Sequence, residues 1–159
     1  MSAMDSLKKY LDDNGIKFEE QHHPVAYTAQ DVVNAEHVAA KSVAKVTIAK
    51  ANGELVMLVL PACERADFDK VRNILGREVC LATEAEFSQV FFDCEVGAMP
   101  PFGHFYGLRV YVDRTLTDDE HIIFNEGTHT DTLKIRYADY ERLEHPVVAD
   151  FAAMRPSRA

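Results

Sequence analysis

Long apolar runs are missing from this chain of 159 residues. No stretch approaches the roughly 18–20 consecutive apolar residues that a membrane helix needs. The opening MSAMDSLKKYLDD has no apolar segment followed by a small-residue cleavage site, so a secretory signal is not expected there. Cysteine is scarce: Cys63, Cys80 and Cys94 are too few and too far apart for a disulfide framework or a zinc ribbon. A reducing cytoplasm is the expected setting, with no membrane partner. Cations are outnumbered, 17 Lys and Arg against 26 Asp and Glu, giving a formal net charge of −9. That balance argues against a broad basic footprint for nucleic acid. A local patch can still act, because charges more than about 8–10 Å away are screened at physiological salt.

Signature motifs are also lacking. Neither GxGxxG nor GxxxxGK[ST] occurs, which removes a Rossmann or P-loop nucleotide site. There is no HExxH, no paired-cysteine motif and no GxSxG elbow, so neither a metal nor a serine nucleophile is expected. Among the seven histidines, His121 and His129 fall on neighbouring expected strands and are the pair that could converge. Without a carboxylate at a known spacing they make a weak metal site. Cys94 sits between Asp93 and Glu95. Two carboxylates would raise a thiol's pKa, so Cys94 reads as a packing residue.

What is present is enough for a core. The chain is 47% hydrophobic and 27% charged, the balance of one compact domain over residues 1–159. Leu7 and Leu11 have helical spacing, stopped at Asn14-Gly15, and Ile16 to Glu20 alternates as a short strand. Thr28 to Asp31 resembles a cap in front of a helix reaching Ala40. Lys45–Lys50, Asn52-Gly53 and Glu54–Leu60 spell a β-hairpin whose second arm, apolar on both faces, belongs in mid-sheet until Pro61 ends it. Asp67 to Gly76 is a capped helix with Phe68, Val71, Ile74 and Leu75 inward. A brief strand at Glu78–Leu81 precedes a capping box at Thr83–Glu86, which opens a helix to about Val90. Strands at Leu108–Val112, His121–Asn125 and Thr130–Ile135 precede a helix over Tyr137–Glu144. Residues 145–159 carry no assignment. Helices interspersed with six or seven strands predict a mixed α/β (α+β) domain, a central mixed sheet flanked by helices.

Two features remain as carriers of chemistry. Gly97–Gly103 (GAMPPFG) is neither helix nor strand, and its free amides could cradle a carbonyl or carboxylate. A plain turn fits the same pattern. Lys45 shares a strand face with Thr47 and Ala49 and could point into a cleft, although a lysine at a strand end is ordinarily solvated.

Taken in order, these pieces resemble the YbaK/ProX/EbsC family of aminoacyl-tRNA deacylases, related to the editing insertion of bacterial prolyl-tRNA synthetases. The matching stretches are His23-Pro24 with Tyr27-Thr28-Ala29, Ala44-Lys45, Leu58–Pro61, the GxxxP loop from Gly97 to Pro101, and Asn125-Glu126-Gly127-Thr128-His129-Thr130. They span about residues 16–143. The resemblance implies the YbaK fold and metal-free, cofactor-free hydrolysis of the ester joining a wrong amino acid to the 3′ end of tRNA, assisted by the substrate's own ribose hydroxyl. It implies Lys45, Gly97 and Pro101 as the catalytic set. Tyr27, Thr28, Ala98, Met99, Thr128 and His129 become substrate-binding residues, and mischarged tRNA, with or without a synthetase, the partner. Two departures stand out. Val46 follows the lysine where some branches carry a polar residue, so specificity cannot be copied from them. The available cations, Lys41, Lys45 and Lys50 or Arg65, Lys70, Arg72 and Arg77, are interleaved with acids, and a solvated helix face accounts for the second set equally well. A catalytically silent aminoacyl- or synthetase-binding module is the competing reading, and a hydrolase of other small esters is a third.

Overall fold

In the computed structural model, residues 3–24, 40–76, 78–95 and 97–154 are described. The expected helix from Thr28 to Ala40 therefore lies almost wholly outside the described residues, as do Tyr27, Thr28 and Arg77. Among the rest, the mixed α+β architecture is as expected.

The hairpin is the organising element. Strands β2 (Ala44–Ala51) and β3 (Glu54–Pro61) pair antiparallel around Asn52 and Gly53, whose φ angles of 52° and 83° are the left-handed values the Asn-Gly pair predicts. Strand β3 is third in a five-stranded mixed sheet of order β5-β2-β3-β6-β9. In it, β5 is Val79–Leu81, β6 Arg109–Asp113 and β9 Val147–Ala149, with β3, β6 and β9 mutually parallel. A central strand must be covered twice. Met57 and Val59 face one layer, Leu58 and Leu60 the other, and none is more than 1% exposed.

The first layer holds helix α1 (Ala3–Asp13) and the antiparallel sheet β1-β8-β7, formed by Glu19–His22, Asp131–Arg136 and His121–Asn125. Leu7 and Leu11, one helical turn apart, enter this core with Phe102, Ile122, Phe124, Leu133, Ile135 and Tyr140. Each such side chain, fully buried, contributes about 1.5–3 kcal/mol. The second layer holds helix α2 (Phe68–Leu75) and the ribbon of β4 (Glu64–Ala66) with β10 (Ala152–Met154), closed by Val71 and Phe151. Helix α3 (Glu84–Ser88) carries the expected capping box between Thr83 and Glu86. Helix α4 is Tyr137–Glu144.

Several expectations need correction. Strand β1 begins at Glu19, not Ile16. The Asn14-Gly15 turn returns the Ile16 amide to Leu11 O at 2.9 Å, and Ile16 becomes core. Helix α3 stops at Ser88, and single turns carry the chain through Asp93. Ile74 is 37% exposed, while Val71 takes the buried position on its helix. Ten strands are present among the described residues, and the extra ones (β4, β9, β10) have three residues each, too short for any periodicity.

The unassigned C-terminal segment has a specific anchor. Asp113, 1% exposed at the end of β6, accepts the amides of Phe151 and Ala152 at 3.0 and 2.9 Å and that of Thr115 at 3.1 Å. Burial pulls this carboxyl upward, but these hydrogen bonds and that of the Thr115 hydroxyl outweigh it, holding Asp113 below the ordinary carboxylate range. Asp113→Ala leaves buried amides unsatisfied and is expected to cost about 2–3 kcal/mol, read as a lower urea midpoint, with earlier proteolysis near residue 150.

Candidate active site

Gly97 opens its loop at φ 84°, a conformation that a side chain would strain. The following residue ties this loop to the one between β7 and β8. Gly127 N–H donates to Ala98 O at 2.9 Å, and Glu95 N–H donates to Gly127 O at 2.8 Å. The Glu95 carboxylate then accepts the His129 amide at 2.9 Å, with the imidazole Nε2 3.9 Å from the same oxygen. A Cβ built on Gly97 would lie 3.5 Å from His129 Cε1. Gly97, Ala98 and His129, named separately from the sequence, are therefore neighbours. The other end of the loop is fixed by Tyr140, whose hydroxyl donates to Pro101 O at 2.7 Å.

This packing limits what the loop can offer a ligand. Ala98 and Met99 are buried, and Met99 belongs to the first core with Phe102. The Ala98 amide is spent on Glu95 O at 3.0 Å and that of Phe102 on Pro100 O at 2.8 Å. Pro100 and Pro101 have no N–H. Gly103 gives its amide to Glu144, and among the described residues no acceptor is found for the amides of Gly97 and Met99.

The β7–β8 loop rests on a polar base. Asp131 accepts Thr128 Oγ1 at 2.5 Å and Thr130 Oγ1 at 2.8 Å and pairs with His22 Nδ1. Burial raises its carboxyl, but the bonds from Thr128, Thr130 and His22 more than compensate, and Asp131 lies below its usual value. Thr128 thus spends its hydroxyl on Asp131. Glu126 is fully buried, and its carboxyl meets that of Glu20, which Lys8 bridges at 2.5 Å. Burial first, then the Glu20 contact and charge, push Glu126 up to about 9. At that value it is an uncharged acid at neutral pH, lying against the Glu20 carboxylate.

Lys45 is half-buried at the start of β2, with Nζ 3.5 Å from Ala62 O. A parallel bridge between Val43 and Ile123 sets Lys45 level with Asn125, at the end of β7 from which the Gly127–His129 loop springs. Its pairing with Leu60 gives it the second-layer face of the five-stranded sheet, opposite the layer that takes Met99 and Phe102. Val46 packs into the first core.

Other expectations are revised. His121 and His129 do not converge: His121 is paired with Arg136 at one end of β7, and His129 lies beyond the other. Among the described residues no three His, Cys, Asp or Glu side chains form a metal-ligating group. Burial, followed by the Asp93 charge, pushes the Cys94 thiol up to about 12, as the acidic flanks suggested, but Glu95 turns to His129 instead. Lys50 is held by Glu86 at 2.7 Å, Lys70 by Asp150 at 3.2 Å and Arg72 by Asp69 at 3.0 Å. Arg65 is on β4, not on a helix face. Glu95, Glu126 and Asp131 were missed. The available signal was three carboxylates within four residues of the Gly97 and Gly127 bends.

A family model described as an aminoacyl-tRNA editing domain matches residues 23–143. The chain belongs to that family. It is 27% identical over 147 residues to the multifunctional Ser/Thr-tRNA deacylase ProXp-y of Escherichia coli K12, covering 89% of this chain and 87% of that one. A crystal structure of a hypothetical protein superimposes with a TM-score of 0.84 at 19% identity, covering 92% of this chain and 99% of that chain. Another, of a candidate trans-editing enzyme for prolyl-tRNA synthetase, gives 0.81 at 20% identity, covering 95% and 97%. No helix among the described residues is long and apolar enough to cross a membrane.

Glu126 yields a prediction with a defined sign. Its folded-state value is raised from 4.5, so its contribution is complete below about 4.5 and is lost as pH rises towards 9. Glu126→Gln, neutral throughout, should gain stability relative to wild type steadily between those limits. Denaturant midpoints at pH 5, 7 and 9 would reveal it; a constant difference would refute the raised value.

Proposed function

We propose that this protein hydrolyses the ester linking a wrongly attached amino acid to the 3′-terminal adenosine of tRNA. One observation carries the reading beyond family membership. The Gly97 bend and the Gly127–His129 loop are bonded into one unit, and among the described residues the Gly97 and Met99 amides beside His129 meet no acceptor. Such donors suit the oxyanion that forms when water attacks an ester carbonyl. Collapse of that intermediate expels the ribose oxygen, which takes a proton as the free amino acid leaves.

An aminoacyl ester is already activated, so positioning and charge stabilisation suffice without a protein nucleophile. The Gly97 and Met99 amides receive the carbonyl oxygen, and the ribose hydroxyl next to the ester directs the water. His129, its amide held by Glu95, forms one wall of the site. Lys45, on the opposite sheet face from Met99 and Phe102, is assigned not to the carbonyl but to a polar group or phosphate elsewhere on the substrate. The name of the Escherichia coli relative makes serine and threonine the first amino acids to test.

Deacylation of tRNA mischarged with Ala, Ser, Cys or Thr decides the matter. Turnover of Ser- or Thr-tRNA is expected, whereas saturable binding without turnover across the panel would favour a silent binding module. Gly97→Ala forces a side chain into a positive-φ position against His129 and should lower kcat by about 10²-fold, the usual scale for losing an oxyanion donor. Lys45→Ala should chiefly raise KM; an unchanged rate and KM would remove Lys45 from the mechanism.

A further inference from the structure

The net charge of −9 leaves the tRNA contact unexplained, and the distribution of committed cations narrows the search. Lys8, Lys9, Lys50, Lys70, Arg72 and Arg142 are each ion-paired with a carboxylate. Among the described residues Lys17, Lys41, Arg65, Arg109, Arg114 and Arg136 enter no ion pair, and Lys134 reaches Glu19 only at 4.0 Å. Three of these cations, Lys17, Lys134 and Arg136, line one cleft of about 330 Å³ on the three-stranded sheet, with His121 and a single acid, Glu19. The neighbouring cleft shares His121 and Lys134 and adds Lys41, but sets them against Asp118, Asp119 and Glu120.

Strand register connects the cationic cleft to the candidate site. Ile122, Phe124, Leu133 and Ile135 point into the core, so the alternate residues share the outer face. Along it the rungs run Asn125–Thr132, Ile123–Lys134 and His121–Arg136, of which Ile123 and Thr132 are buried while His121, Lys134 and Arg136 reach solvent. The first rung adjoins the Gly127–His129 loop. Successive rungs are about 7 Å apart, so Lys134 and Arg136 stand about 7 and 14 Å further along the sheet. A single strand whose 3′ end reaches the loop passes those positions with its upstream phosphates.

We infer that the outer face of the β1-β8-β7 sheet, on its Lys17–Lys134–Arg136 side, is the track for the single-stranded 3′ end of tRNA. Charge complementarity selects the occupant, since this side offers three cations to one acid on a strongly acidic protein. The inference rests on the deacylase reading for the direction of the strand, not for the existence of an RNA-binding face. Upstream phosphates bind there, and the aminoacyl ester extends to Gly97 and His129.

The test is binding of a fluorescein-labelled RNA microhelix with a single-stranded CCA end, from 50 to 200 mM salt, to wild type and the triple variant Lys17→Ala, Lys134→Ala, Arg136→Ala. Each single-strand phosphate contact contributes about 0.7 to the slope of log affinity against log salt. The triple variant should lose about 2 from that slope and bind about tenfold or more weakly at 50 mM salt. It should leave turnover of seryl-adenosine unchanged while raising KM for seryl-tRNA. Equal affinity and slope in the two proteins would overturn the inference, as would a loss that removing the single-stranded end from the microhelix does not reproduce. If wild type binds through this face yet hydrolyses neither seryl-tRNA nor seryl-adenosine, the deacylase reading falls and the RNA track stands.

Discussion

Everything in this molecule answers to the need to cover strand β3 on both sides. It pairs antiparallel with β2 and parallel with β6, and neither neighbour shields its faces. One face recruits α1, α4 and the antiparallel three-stranded sheet, the other α2 and the β4–β10 ribbon. The candidate site is a by-product of the first layer. Its two loops leave that layer at adjacent points and bond to each other across Ala98, Gly127, Glu95 and His129.

That arrangement explains why carboxylates surround a site proposed to accept an anionic substrate. Asp131 and Glu126 are used inwardly, one collecting two hydroxyls and an imidazole, the other kept uncharged by burial against Glu20. Glu95 holds a backbone amide with one oxygen but keeps 54% of its side chain exposed. Little of the negative charge of the first two is presented to a ligand. The formal charge of the sequence therefore overstates how repulsive this region is to RNA.

Much of the architecture was legible in the sequence where a local signal coincides with a tertiary one. Asn52-Gly53 between β-branched runs, the Thr83–Glu86 box and the 67–76 helix have physical causes confined to a few neighbouring residues. Three-residue strands such as β9 and β10 have none, because their existence depends on Asp113, nearly 40 residues earlier in the chain. The site divides the same way. Gly97 and the Gly127–His129 stretch announce themselves by composition, and the structure makes them neighbours. The roles of Glu95 and Glu126 are invisible without knowing which carboxylate is buried and which amide it meets. Convergence of His121 with His129 failed because adjacency of strands says nothing about which ends of them are compared.

The Asp113 carboxylate has a consequence for biogenesis. Its amide partners at 151 and 152 leave a ribosome nearly 40 residues after Asp113 itself. A half-made chain that closed its second layer early would bury a charge with no donors, which is costly. The nascent protein is thus discouraged from settling that side until residues 151 and 152 have emerged, while the layer bearing the two loops is free to assemble first.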